Sequence, residues 1–253
     1  MTLRVETAGA GAPLVLLHGW GFHCGVWTGF AEDLARRNRV HLIDLPGHGH
    51  SHDAPMGSLD DLIEEIARLI PHGSRVLGWS LGGLLAQGLA RRHPAKVRAV
   101  ALVSTTPCFM RRDDWPHAMA TETFDDFAAG LRDDPVVTLE RFVHLNTFNV
   151  PAARPAMRAL SSSLSERPMA SSQALGAGLA LLRATDLRSD HGKMLVPTIV
   201  VHGARDRIVP VEAGRWLARE ALGATLVELE ASAHLPFVTD RVAVLRAVDS
   251  LDA

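Results

Sequence analysis

Short apolar runs that lead straight into glycine turns, each followed by a stretch of helical period, constrain this chain more than any other feature. Pro13 to Leu17 ends in His18-Gly19-Trp20-Gly21, Val40 to Asp44 is broken by Pro46-Gly47-His48-Gly49, Arg75 to Trp79 runs into Ser80, and Val97 to Val103 follows. Strands solvated on one face alternate apolar with polar residues, whereas strands covered on both faces read as nearly continuous apolar stretches. The intervening segments supply the covering helices. Thr28 to Arg37 has the helical period, and Ser58 with Asp61 forms a capping-box pattern ahead of Leu62, Ile63, Ile66, Leu69 and Ile70. Leu81 to Arg92 reads as a helix directly after the third run. The expected fold class is therefore α/β, a mostly parallel central sheet with helices on both faces, preceded by a short strand from Leu3 to Thr7.

From about Pro107 to Asp190 the rhythm stops. This segment is helix-like, is interrupted by Pro116, Pro135, Pro151, Pro155 and Pro168, and offers no convincing strand. It reads as an inserted helical cap, residues 107–190, on a core made of residues 1–106 and 191–253. Pro197 to His202 and Ala224 to Leu229 restore the strand pattern, with a helix near Glu212 to Arg219 between them and another from Thr239 to Leu251. A length of 253 residues suits one domain carrying such an insertion.

Charge narrows the partners. Lys plus Arg is 26 against 28 for Asp plus Glu, a formal net charge of −2, which leaves no global field to hold nucleic acid or an anionic membrane. The N-terminus lacks the basic start and apolar stretch of a signal peptide, and no run reaches the length of a membrane span. Only Cys24 and Cys108 occur, too few for a disulfide framework, so a cytoplasmic protein is expected. Tyrosine is absent, which excludes mechanisms that need a tyrosine acid, those of the short-chain dehydrogenases among them.

Gly78-Trp79-Ser80-Leu81-Gly82 fits G-x-S-x-G between a strand and a helix, the context that motif requires. A side chain two positions either side of the serine would clash in so tight a turn, and the Leu81 N–H at the helix start faces developing negative charge. A serine hydroxyl needs a base, itself oriented by an acid, and in this fold they follow the serine in the order acid, then histidine. Asp206 follows the strand ending at His202, and His234 follows the last strand. The competing readings are a turn carboxylate paired with Arg205 or Arg207, and a polar loop histidine. The Trp20 N–H, in the loop after the first buried strand, is the expected second donor to an oxyanion, while its indole also suits a packed position at a pocket wall. Gly19-Trp20-Gly21 with Asp44 mimics a dinucleotide fingerprint, but Cys24 stands where its third glycine belongs. His48, His50 and His52 alternate in a Pro-Gly loop without a cysteine pair and read as a solvated loop, with no metal site expected.

Taken together, His18-Gly19-Trp20-Gly21, Asp44-Leu45-Pro46-Gly47-His48-Gly49-His50-Ser51, Gly78-Trp79-Ser80-Leu81-Gly82-Gly83, Asp206 and His234 resemble the α/β-hydrolase superfamily over the whole chain. Within it, Trp79, Thr106-Pro107-Cys108-Phe109 through Asp113-Asp114-Trp115-Pro116, and Arg141-Phe142 to Asn146-Thr147 resemble the pimeloyl-acyl-carrier-protein methyl ester esterases of biotin synthesis. The resemblance implies a cofactor-free serine carboxylesterase whose substrate and partner is an acyl-carrier protein bearing a methyl pimeloyl chain. It makes Ser80 the nucleophile, His234 the base and Asp206 its orienting acid. It brings Trp20, Ser80, Leu81, Phe142, Val143, His144, Leu145, Asn146 and His234 to the acyl chain. It matches Arg141, Arg154 and Arg158 to carrier-contacting arginines, with Val137 where a further arginine is expected. Arg141, Arg154, Arg158 and Arg167 against Glu166 make that stretch locally basic. A monomer is expected. The rival expectations are a general short-chain carboxylesterase, a carbon-carbon bond hydrolase of the same fold, or a capped receptor without turnover.

Overall fold

Seven strands form one sheet in the order β1-β3-β2-β4-β5-β6-β7 in the computed structural model, which describes residues 3–147, 150, 157–158, 161–162, 164–189 and 194–252. The strands are β1 (Val5–Ala8), β2 (Ala12–Leu17), β3 (Asn38–Ile43), β4 (Ser74–Trp79), β5 (Val97–Val103), β6 (Thr198–Gly203) and β7 (Thr225–Leu229). All neighbouring pairs are parallel except β1 with β3. The exception follows from chain length: only Gly9, Ala10 and Gly11 separate β1 from β2, too few for a parallel crossover.

The pleat divides the core in two. Val15, Leu17, Val76, Val100, Leu102 and Val200 face one layer, and Leu14, Leu16, Leu77, Ala101, Val103, Ile199 and Val201 face the other. The first layer is closed by α2 (Leu59–Leu69), α3 (Leu81–Arg92) and α7 (Val211–Glu220), the second by α1 (Phe30–Ala35) and α9 (Arg241–Asp249). Truncating a fully buried residue such as Leu85 or Leu102 to alanine would cost about 2–5 kcal/mol. The capping box at α2 forms as its sequence predicts: Ser58 accepts from the Asp61 N–H, and the Asp61 carboxylate accepts from the Ser58 N–H.

Between β5 and β6 lie α4 (Thr121–Asp133), α5 (Pro135–Leu145) and α6 (Ser172–Ala184). Isolated bridges, Cys108 to Asp186, Met110 to Met119 and Arg112 to Trp115, are the β pairing there among the described residues. Two expected helices are shorter. The first begins only after Gly29, whose φ of 78° breaks it from the preceding 3-10 turn at Cys24–Trp27. The last is split at Asp240, with φ −134°, into α8 (Pro236–Thr239) and α9. No helix among the described residues is long and apolar enough to cross a membrane.

The expectation of a solvated loop for His48, His50 and His52 is corrected at His48 alone. The Asp44 carboxylate accepts the Cys24 N–H at 2.7 Å and the His50 N–H at 2.9 Å, folding the loop inward. His48 is consequently buried, its ring 5.3 Å from that of His18, while His50 and His52 are exposed. Among the described residues, no group of three or more His, Cys, Asp or Glu side chains is placed to hold a metal ion.

Candidate active site

Four loops at the C-terminal ends of β2, β4, β6 and β7 supply the candidate residues, the edge where parallel sheets build their sites. Ser80 joins β4 to α3 with φ 54° and ψ −114°, a conformation rare outside glycine and strained by about 1–3 kcal/mol. Glycine on either side makes the turn possible. A Cβ at Gly78 would fall 2.2 Å from the Gly82 carbonyl oxygen, and one at Gly82 would fall 2.1 Å from that of Leu17. The Ser80 N–H donates to Val103 at 3.0 Å, and its carbonyl accepts from the Thr105 hydroxyl at 2.7 Å, so the elbow is braced by β5 and the segment after it. Ser80 remains partly exposed while Trp79 and Leu81 on either side are buried.

Asp206 and His234 meet in the interior. The His234 Nδ1–H donates to Asp206 Oδ2 at 2.7 Å, the length of a charge-assisted bond. Asp206 Oδ1 accepts the Ile208 and Val209 N–H groups, each at 2.9 Å. Burial works to raise the Asp206 carboxyl, but the neighbouring imidazoles of His234 and His202 outweigh it and hold the group well below the usual carboxylate range. The neighbouring Arg205 Nε–H donates to the Glu230 carbonyl at 3.1 Å.

The backbone of His234 is held from two directions. Its N–H donates to the Asn146 carbonyl at 3.0 Å, and its carbonyl accepts the Trp79 indole N–H at 2.8 Å. Trp79 is itself fixed edge-on by Phe22, Trp27 and Phe237. The His234 ring lies 5.5 Å from the indole of the residue preceding Ser80. His234 Nε2 is buried and makes no hydrogen bond to Ser80 or to any other described residue. Bonds of this kind commonly close only when substrate is bound.

The remaining expected positions separate. Neither the Trp20 nor the Leu81 N–H donates to another described main-chain group. The Trp20 indole is buried edge-on to Phe127 and Phe142, and its N–H donates to the Leu175 carbonyl at 2.9 Å. Phe142 thus belongs to the aromatic wall beside Trp20. Val143 and His144 line an open groove of about 1730 Å³ between α5 and the start of α6, together with Leu139, Arg158, Met169 and Leu175. The groove lining does not include Ser80; it includes Leu175, whose carbonyl accepts the Trp20 indole N–H. Leu145 is exposed, and Asn146 acts through its main chain. Arg141 and Arg158 are exposed without a salt bridge among the described residues, and Arg154 lies outside the described residues. Arg167, counted with them in the sequence, turns inward to Glu6, with both bonds at 2.8 Å, and to Asp44 at 3.4 Å. Its charge is therefore spent within the protein.

Sequence reasoning missed His202 and the anchoring carbonyl of Asn146. A histidine inside the apolar run of β6 was a signal for the first; nothing local marks the second.

A model of the alpha/beta hydrolase fold family matches residues 12–240. The chain is 43% identical over 250 residues to the pimeloyl-[acyl-carrier protein] methyl ester esterase of Chromobacterium violaceum, covering 98% of this chain and 97% of that one. It is 39% identical over 238 residues to the protein of the same name from Nitrosomonas europaea, covering 94% of each. Among solved structures, an esterase from Exiguobacterium antarcticum matches with a TM-score of 0.89 at 23% identity, over 99% of this chain and 96% of that one, a likeness of fold.

Proposed function

This chain belongs to the α/β-hydrolase family, among the pimeloyl-[acyl-carrier protein] methyl ester esterases, and on that premise we propose that it hydrolyses the methyl ester of pimeloyl-acyl-carrier protein in biotin synthesis. One observation carries the catalytic reading: His234 commits Nδ1 to buried Asp206 while Nε2, equally buried, has no hydrogen-bond partner among the described residues, and its ring packs 5.5 Å from the indole of Trp79, the residue before Ser80. An imidazole held in this way accepts a proton at Nε2, because its own proton is fixed on Nδ1 by the carboxylate.

Ser80 Oγ attacks the ester carbonyl as its proton passes to His234 Nε2. The tetrahedral oxyanion takes the N–H groups of Trp20 and Leu81, both free of other main-chain acceptors among the described residues. His234 then protonates the leaving methoxide and methanol departs, leaving the acyl group on Ser80. Water, deprotonated by His234, attacks that ester and regenerates the serine with a free carboxylate on the pimeloyl chain. The balance needs no cofactor.

Residues 1–106 and 191–253 serve as the catalytic core in this reading, and residues 107–190 as the cap. The acyl chain runs along Trp20 and Phe142, and the groove lined by Val143 and His144 leads outward toward the carrier. Arg141 and Arg158, exposed and without a salt bridge among the described residues, face the acidic carrier protein, with Arg154 assigned to the same role from the sequence. Buried free thiols at Cys24 and Cys108 fit a reducing cytoplasm, and we take the protein to act there as a monomer.

The test compares kcat/KM for methyl pimeloyl-acyl-carrier protein with that for a small aryl ester. A strong preference for the carrier substrate is expected, and Ser80→Ala should lose on the order of 10³ or more on both. Equal efficiency on the two esters would defeat the substrate assignment, and turnover retained by Ser80→Ala would defeat the mechanism.

A further inference from the structure

Asp206 is served by two imidazoles. Besides the 2.7 Å bond from His234, Asp206 Oδ2 lies 3.4 Å from His202 Nε2, and both side chains are fully buried. His202 is the penultimate residue of β6, four residues ahead of Asp206, so the turn at Gly203 to Arg205 brings the carboxylate back over the strand that carries the imidazole. The same His202 Nε2–H donates to the Val209 carbonyl at 3.0 Å. Val209 is thereby held twice, through its carbonyl by His202 and through its N–H by Asp206 Oδ1.

The other ring nitrogen decides the tautomer. His202 Nδ1 is buried without a hydrogen-bond partner, and a Cβ built on Gly214 would fall 2.5 Å from it. A proton on Nδ1 would be a buried orphan donor, and it would leave the bare Nε2 facing two oxygens. A proton on Nε2 satisfies both acceptors and leaves only an unused lone pair at Nδ1. The close approach of α7 at Gly214 keeps the ring from turning over.

We propose that His202 is a positioning residue for the triad: its Nε2–H, shared between the Val209 carbonyl and Asp206 Oδ2, fixes the carboxylate that orients His234. The proposal rests on the serine-hydrolase reading above and concerns a residue that never touches substrate. Asp206 then has two main-chain donors on Oδ1, the His234 Nδ1–H at 2.7 Å on Oδ2, and the His202 Nε2 at 3.4 Å from that same oxygen. Removing the His202 donor frees the Oδ2 side, so the orientation of His234 loosens while the substrate groove is untouched.

The experiment uses the whole protein, ¹⁵N-histidine NMR and steady-state kinetics on a small aryl ester. In the unmodified protein, His202 is expected to show a protonated Nε2 and an unprotonated Nδ1; the opposite tautomer overturns the proposal without any mutation. His202→Leu should lower kcat by about 10–100-fold, as loss of an outer orienting group typically does, with KM changed little. It should also shift or broaden the downfield proton resonance of the His234 Nδ1–H. His202→Gln, whose amide N–H reaches the Nε2 position, should restore most of kcat. Equal impairment of the Leu and Gln variants with an unmoved His234 resonance would reduce His202 to packing and overturn the proposal. Wild-type kcat in His202→Leu, alongside an inactive Ser80→Ala, would sink the positioning role and leave the triad standing. Turnover retained by Ser80→Ala would sink both.

Discussion

Replacing Asp206 by asparagine keeps the shape of the side chain and reverses one of its two polar faces. The amide oxygen can keep the Oδ1 position, where the Ile208 and Val209 N–H groups each donate at 2.9 Å. The amide nitrogen must then occupy the Oδ2 position, 2.7 Å from His234 Nδ1, and it can only donate. His234 responds by moving its proton to Nε2, the atom that must accept from Ser80. The flipped amide is no escape, because it would set its N–H groups against those of Ile208 and Val209. Loss of the productive tautomer and of the charge that supports the imidazolium is expected to lower kcat by about 10⁴, the scale for the corresponding change in the well-studied serine proteases. That factor corresponds to roughly 5 kcal/mol of lost transition-state stabilisation. Single-turnover acylation of a small aryl ester measures it directly, and circular dichroism checks that the variant folds. A folded Asp206→Asn protein within tenfold of the parent would refute the assignment of acid to Asp206 and of base to His234.

Other outcomes follow from the same structure. Burial, and for His18 also the neighbouring His48, lower the pKa of His18 to about 3 and that of His48 to about 4, so both lie below the unfolded value. The unfolded chain therefore binds protons the native state refuses, and stability should fall as pH drops from about 6.5 toward 4.5, by about 2–3 kcal/mol per histidine; urea midpoints independent of pH across that window would contradict it. Asp206 acts lower down: its depressed carboxyl contributes stability that is present above about pH 4 and lost as pH falls further toward its folded value. Ser80→Gly should remove activity while raising the melting temperature, because glycine accepts φ 54° without the strain of about 1–3 kcal/mol; a lowered melting temperature would argue against a strained elbow. Reversing Arg141, Arg154 and Arg158 to glutamate should raise KM for carrier-bound ester and spare small esters, whereas equal losses on both would point to damaged folding of that region.

The sheet was largely legible because its inner strands are nearly continuous apolar runs, and β2, β4, β5, β6 and β7 start and end within one or two residues of the runs that mark them. Ser80 and its flanking glycines were equally plain, since the tightness of the elbow is a local property. What could not be read is non-local. The indole of Trp79 bonds a carbonyl 155 residues away, and Asp44 folds a Pro-Gly loop inward through two main-chain N–H groups, burying a histidine that composition alone leaves in water. Arg167 looked like surface charge for the same reason: its partner Glu6 is 161 residues distant. His202 was hidden differently, inside a strand whose other residues are there for packing.

The anchoring of His234 between Asn146 and Trp79 bears on how such enzymes diversify. One of the two bonds that seat the imidazole comes from the residue just beyond α5, in the very stretch that shapes the groove. Exchanging this region for that of a sister hydrolase would transplant a substrate preference only if the graft also delivered a carbonyl to the same point in space. Groove shape and the seating of the His234 imidazole are thus welded along a single peptide unit, and change in the one is tethered to preservation of the other.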